Sequence, residues 1–185
     1  MEFHAKEQLP GLLAWMRQQM TACGGKTAVI GISGGKDSAT VAALAVAAYG
    51  RENVVGVLMP DGIQPDIDYS NGLVEFLNLR HYVFNIQGGT SGILGEMERL
   101  GMQPSRQTRV NLPSRMRMLT LYAVAQSEEG GIVLNTSNLS DAYYLRGCIY
   151  FAKNDSDKGL KDFKTALSEN NDNYELYLEI GRAHV

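Results

Sequence analysis

The chain has 185 residues, enough for one ordinary domain with an appendage. Its 44% hydrophobic content supplies a core, while a formal net charge of −3 with scattered lysines and arginines argues against a long phosphate backbone as partner. A compact phosphate-bearing ligand stays compatible, because a loop and a helix end hold one without net basicity. Cys23 and Cys148 form no close-spaced pair, and His4, His81 and His184 are dispersed, so neither a disulfide framework nor a zinc site is expected. The first twenty residues mix polar and apolar side chains, unlike a signal peptide, and the longest apolar run, 39–49, is too short for a bilayer. The expected location is the cytoplasm, with no membrane and no nucleic-acid partner.

Leu9, Leu12, Leu13, Met16 and Met20 recur at helical spacing and predict an amphipathic helix over 5–22, broken by Gly24-Gly25. Residues 27–32 form a short apolar run bounded by glycines, the pattern of a buried strand. A loop at 33–38 leads into an alanine-rich helix over 39–49. A second strand covers 53–59 and stops at Pro60-Asp61-Gly62. A helix over 69–79, a third strand over 81–86 and a helix near 91–100 follow. After a polar segment at 103–109, Asn111 or Leu112 with Pro113 reads as a helix start, since proline is tolerated in the first turn. That helix runs to about Glu128, Gly130-Gly131 ends it, and Ile132-Val133-Leu134 is a fourth strand.

Short apolar strands alternating with helices predict an α/β fold with a doubly wound parallel sheet. Ligands of such sheets bind at the carboxyl ends of the strands, near a topological switch point. The loops beginning at Ser33, Met59 and Asn135 would open on that one edge. From Ala142 onward no strand pattern recurs. Tyr143, Gly147, Tyr150, Gly159, Phe163 and Ala166 fit a short α-helical hairpin over 142–178 that resembles a tetratricopeptide repeat, with Asn171 where proline is usual. A lone repeat leaves its apolar face uncovered, so an interaction module built on it ranks last among the functions considered.

Ser33-Gly34-Gly35-Lys36-Asp37-Ser38, between strand and helix, carries the chemistry. It is neither a Walker A loop, since Lys36 is followed by Asp37, nor a GxGxxG fingerprint. Gly34 and Gly35 allow close approach of backbone N–H groups to an anion, the helix N-terminus adds positive partial charge, and Ser33 and Ser38 add hydroxyls. Asp37 would repel a bare phosphate, which points to an intervening cation, most simply Mg²⁺. Arg115 and Arg117 are two apart on one helix, so at most one faces a site there.

This loop resembles the pyrophosphate loop (PP-loop) of the ATP pyrophosphatases, the adenine nucleotide α-hydrolase-like group that includes GMP synthetases and tRNA-modifying enzymes. Three further segments narrow the resemblance. Residues 111–123, NLPSRMRMLTLYA, and 134–141, LNTSNLSD, are similar to the corresponding helix and loop of ammonia-dependent NAD synthetases, and 57–64, VLMPDGIQ, resembles their second-strand loop. Residues 1–141 follow that family's order, and the resemblance implies a domain of that extent. It implies an ATP-dependent ligase that amidates deamido-NAD with ammonia through an acyl-adenylate, giving NAD, AMP and pyrophosphate in a homodimer. By resemblance, Gly31, Ser33, Gly34, Gly35, Lys36, Asp37, Ser38, Met59, Gln64 and Thr136 hold ATP, while Asp37 and Arg115 act at the reacting groups. Asp37 and Asp141 would hold Mg²⁺, with Asp141 standing where the family has a glutamate. The alternative is another PP-loop pyrophosphatase, tRNA-modifying or GMP synthetase-like.

The family's GYxTKxGD segment has no counterpart after 141, so one wall of the site is expected to be missing and activity impaired. Residues 179–185 resemble a translated sequencing adapter and are read as a non-native tail.

Overall fold

The computed structural model describes residues 5–64, 67–135 and, further along, 157, 158, 161, 162, 164 and 165. Two compact units divide the chain, Met1–Thr136 and Ser137–Val185. The six described residues of the second unit are helical, with the Thr165 hydroxyl donating to the Lys161 carbonyl at 3.0 Å. The rest of the expected repeat and the tail at 179–185 lie outside the described residues.

In the first unit, α1 (Ala5–Ala22) precedes β1 (Thr27–Ile32), α2 (Lys36–Tyr49), β2 (Val54–Leu58) and α3 (Ile67–Phe76). β3 (Arg80–Val83), α4 (Gln87–Arg99), α5 (Arg106–Ser127) and β4 (Gly131–Leu134) complete it. The strands form one sheet in the order β3-β2-β1-β4, every pair parallel. β1 and β2 are buried almost throughout, as strands covered by helices on both faces must be.

Alternation along the strands divides the core. Ala28, Ile30, Ile32, Val54 and Leu58 pack with Met20, Ala42, Ala45 and Val74 from α1, α2 and α3. Val29, Val55, Val57 and Met59 pack on the other face with Ile86 and with Val124 and Ala125 of α5. The small residues Ala42, Ala45 and Ala48 bring α2 close to the sheet. Arg17 of α1 donates to the carbonyls of Ala48 and Ala47 at 2.7 and 3.0 Å, satisfying acceptors at the end of α2 where a cation is favoured. Tyr49, also at that end, donates to Met16 O at 3.2 Å, and burial raises the pKa of its phenol.

Several helix ends shift by two to four residues from the sequence pattern, and two boundaries differ with a visible cause. The third strand ends at Val83, yet Phe84 N and Ile86 N still donate to Leu58 O and Pro60 O, both at 2.8 Å, so pairing with the β2 segment continues past it. Helix α5 begins at Arg106, several residues before Pro113, rather than at Asn111 or Leu112. Ser105 explains the early start: its hydroxyl accepts from Thr108 N at 3.1 Å, an N-cap. Arg109, in the added turn, pairs with Glu98 of α4 at 3.0 Å. The interior proline removes a helical hydrogen bond, a cost of about 3 kcal/mol that packing of the rest of α5 on the sheet offsets.

Arg80 on the edge strand grips Glu128, just past α5, through two hydrogen bonds of 2.8 and 2.7 Å, and Tyr82 OH adds a third at 3.3 Å. The Arg80 hydrogen bonds hold the Glu128 carboxyl below its ordinary range. Because the folded pKa is lowered, the pair's contribution is complete above the unfolded value of about 4.3 and is lost as pH falls through the folded value. A double-mutant cycle of Arg80→Ala and Glu128→Ala is expected to give about 0.5–1 kcal/mol of coupling at neutral pH, the half-exposed arginine keeping it small. That coupling fades on acidification below about pH 4; growth there would contradict this account.

Candidate functional site

Every parallel strand points its carboxyl end to the same edge, and the sequence motif lies there. Ser33 follows β1, Gly34 adopts φ +79°, Gly35 forms the N-cap of α2 without a capping side chain, and Asp37 occupies the first turn. The positive φ requires glycine, and a Cβ at Gly34 would lie 3.2 Å from Ser70 Oγ and 3.3 Å from Tyr69 Cβ. Hydroxyls tie the loop to itself. Ser38 Oγ, almost fully buried, donates to Gly35 O at 2.9 Å, lies 3.1 Å from Ser33 Oγ and accepts from Ser33 N at 3.3 Å. Gly35 N in turn donates to Ser33 Oγ at 3.3 Å. Lys36 and Asp37 are exposed.

Beside this loop, on the α5 side of the sheet, is a cavity of about 530 Å³, a size that suits a nucleotide. Gly31, Ile32 and Ser33 of the first strand region, Met59, Asp61, Ile63 and Gln64 after β2, and Arg117 and Leu121 of α5 contribute its lining. Gly31 lacks a side chain where a Cβ would meet the tips of Met59 and Leu121 at 3.1 and 3.4 Å. Arg117 Nε donates to Met59 O at 3.1 Å, fixing the guanidinium at the wall. Asp61 accepts from the buried Thr90 hydroxyl at 2.9 Å. Asn85 Oδ1 holds the same loop by accepting from Gly62 N and Gln87 N at 3.1 and 3.0 Å. An apolar cavity with a few fixed polar groups, beside an anion-accepting loop, is chemically suited to a phosphate-bearing aromatic base.

Of the residues expected from sequence, Gly31, Ser33, Met59 and Gln64 line this cavity, and Gly34, Gly35, Lys36, Asp37 and Ser38 continue from its Ser33 edge. Arg115 is exposed on α5 and is not part of the lining, whereas Arg117 is. Thr136 and Asp141 lie outside the described residues; Asn135, the last described residue of that segment, is exposed at the end of β4. Asp61, Ile63, Arg117 and Leu121 line the cavity without having been singled out as site residues. For the last two the signal was present: 117, 121 and 124 share a helical face, and Val124 is buried against the sheet. Asp61 sat in the Pro-Asp-Gly turn of the 57–64 loop, whose resemblance singled out Met59 and Gln64 but not Asp61.

Among the described residues no group of three His, Cys, Asp or Glu side chains could hold a metal by itself. A single exposed carboxylate such as Asp37, beside a phosphate loop, still fits Mg²⁺, which binds through one or two carboxylates, waters and substrate phosphates.

The chain is matched over residues 9–152 by the family model described as NAD synthase. The NH3-dependent NAD+ synthetase of Thermococcus kodakarensis is 37% identical over 142 residues, 77% of this chain and 53% of that protein. Its counterpart in Pyrococcus horikoshii is 42% identical over 130 residues, 70% and 48% of the respective chains. A solved NMN synthetase from Francisella tularensis superposes with a TM-score of 0.68 at 29% identity, covering 78% of this chain and 58% of that one. The NH3-dependent NAD synthetase of Campylobacter jejuni, solved with nitrate, gives 0.70 at 20% identity over 98% and 93%, a likeness of fold. This chain spans about half the length of the curated relatives it matches. The family match covers most of its residues, and the chain belongs to the NAD synthase family.

Proposed function

We propose that this chain binds ATP between the Ser33–Ser38 loop and the adjoining cavity and serves the ammonia-dependent amidation of deamido-NAD. The observation that carries the reading is the positive-φ Gly34 loop, set between the end of β1 and the start of α2 and opening beside a nucleotide-sized cavity. Relatives named NH3-dependent NAD+ synthetase support it. Cys23, a free exposed thiol, fits the cytoplasm as the compartment.

The chemistry follows from the electrophile required. A carboxylate does not accept ammonia directly. Attack of one carboxylate oxygen on the α phosphorus of ATP forms an acyl–phosphate bond and expels pyrophosphate. Ammonia then attacks the acyl carbon, AMP leaves with the bonding pair, and one proton is lost as the amide forms. Gly34 and Gly35 N–H groups and the α2 N-terminus hold the phosphates in line, while Ser33 and Ser38 exchange their mutual bonds for phosphate oxygens. Asp37 would hold Mg²⁺ against those oxygens, and the bound ion supplies neutralisation of developing charge. Met59, Ile32 and Leu121 cover the base, and Arg117 braces the Met59 carbonyl.

A homodimer belongs to the same proposal. Met118, Leu119 and Tyr122 are exposed apolar residues on α5, and Arg115 shares a helical face with Leu119 and Tyr122. Packing this face against a second copy would carry Arg115 to a subunit boundary, where it would contact deamido-NAD. Large exposed apolar patches mark such surfaces.

The full chain with Mg²⁺, ATP, ammonia and deamido-NAD is expected to form NAD and AMP in equal amounts. Asp37→Asn is expected to cost at least tenfold in turnover, and Gly34→Ala to weaken ATP binding by about five- to 150-fold through strain of about 1–3 kcal/mol and the Ser70 contact. ATP cleavage indifferent to deamido-NAD would move the chain to another acceptor. Nicotinate mononucleotide is the acceptor to try next, since the Francisella relative is named an NMN synthetase.

Arg117→Ala is expected to weaken ATP binding several-fold, and Arg115→Ala to raise the KM for deamido-NAD with ATP binding intact. Leu119→Glu should leave a monomer in sedimentation and raise the same KM. Equal ATP defects in both arginine variants would contradict the assignment of separate roles.

A further inference from the structure

Among the described residues, one buried side-chain polar atom has no hydrogen-bond partner: Ser70 Oγ. Ser70 stands in the first half of α3 and is 1% exposed. A buried hydroxyl left unpaired is destabilising, and native proteins leave few of them. Its position is informative. The Ser70 hydroxyl lies directly against Gly34, 3.2 Å from where a Cβ would stand, and Ser70 N lies 3.5 Å from the same point. The orphan therefore faces the most conformationally free residue of the loop, at its positive-φ hinge.

The loop's own hydroxyls are committed to one another through the Ser33–Ser38 contact and the bonds to Gly35. When these hydroxyls turn to phosphate oxygens, Gly35 loses backbone partners and the Gly34 segment must settle into a new arrangement. We propose that Ser70 is a positioning residue for the phosphate loop: its hydroxyl, unpaired against Gly34, bonds the Gly34 backbone in the nucleotide-bound arrangement and holds it there. The cost of burying the hydroxyl is then carried in one arrangement of the loop and recovered in the other, which favours the bound one. This inference rests on the ATP-binding reading above and adds a residue outside the motif to it.

The test separates this role from plain packing because the two predict opposite signs. Ser70→Ala removes an unpaired buried hydroxyl, so without nucleotide the full chain is expected to unfold at the same or a higher temperature. The same variant is expected to bind Mg²⁺-ATP and inorganic pyrophosphate about three- to tenfold more weakly by calorimetry. Ser70→Cys keeps the volume with a weak donor and is expected to recover little of that affinity. Unchanged ATP affinity in Ser70→Ala would overturn the proposal, as would full recovery by Ser70→Cys or a lowered unfolding temperature that accounts for the loss. Failure of the unaltered chain to bind ATP would instead remove the ATP-binding reading itself, and this proposal with it.

Discussion

Parallel pairing of β1 with β2 on one side and β4 on the other is the constraint on which the rest of the structure depends. β1 has a neighbour on each side, both from later in the chain, whereas β2 lies between an earlier strand and a later one. β2 lies one crossover after it, whereas β4 returns from beyond β3, so the chain reverses its winding at β1. The loop leaving β1 cannot be roofed by both adjoining connections, and a crevice results. Both core layers serve this arrangement, since Ile30 and Ile32 face α2 and α3 while Val29 faces α5. The position of Ser33 is thus a consequence of the sheet, and its chemistry a consequence of the glycines that follow.

That division explains the two kinds of polar group at the site. Ser33, Ser38 and Gly35 form a closed set of bonds that ties the loop to itself and that, in the proposed reading, gives way to phosphate oxygens. Asp61, Asn85, Thr90 and Arg117 are braces, each bonded to backbone or to another side chain of the β2–α4 region. Exchangeable groups beside fixed ones are what a phosphate cradle needs, because the phosphates must be gripped while the base pocket keeps its shape.

Much of this was legible in the sequence, for physical reasons that can be stated. Buried parallel strands are apolar on both faces, so 27–32 and 53–59 stood out as short runs, the second observed as 54–58. Gly34 and Gly35 between strand and helix have few other uses than close backbone approach. Helix α5 was harder to read because Pro113 is a strong punctuation mark, and the Ser105 cap that overrides it is a single residue in a polar stretch. Seeing that Arg117 lines the cavity needed the sheet-facing side of that helix, which Leu121 and Val124 define only once β1 is known to lie beneath them. Asp61 was legible only as part of the 57–64 loop and Ser70 not at all, since their contacts with Thr90 and Gly34 follow no local pattern.

The account stands on the Ser33–Ser38 loop being a nucleotide phosphate cradle. Titration of the nitrogen-15-labelled full chain with Mg²⁺-ATP, read by backbone amide shifts, tests this most directly. The account predicts the largest changes at Ser33, Gly34, Gly35, Lys36 and Asp37, a second set at Met59 to Gln64, and little change along the exposed face of α1. Saturable binding that leaves those five amides in place would contradict it.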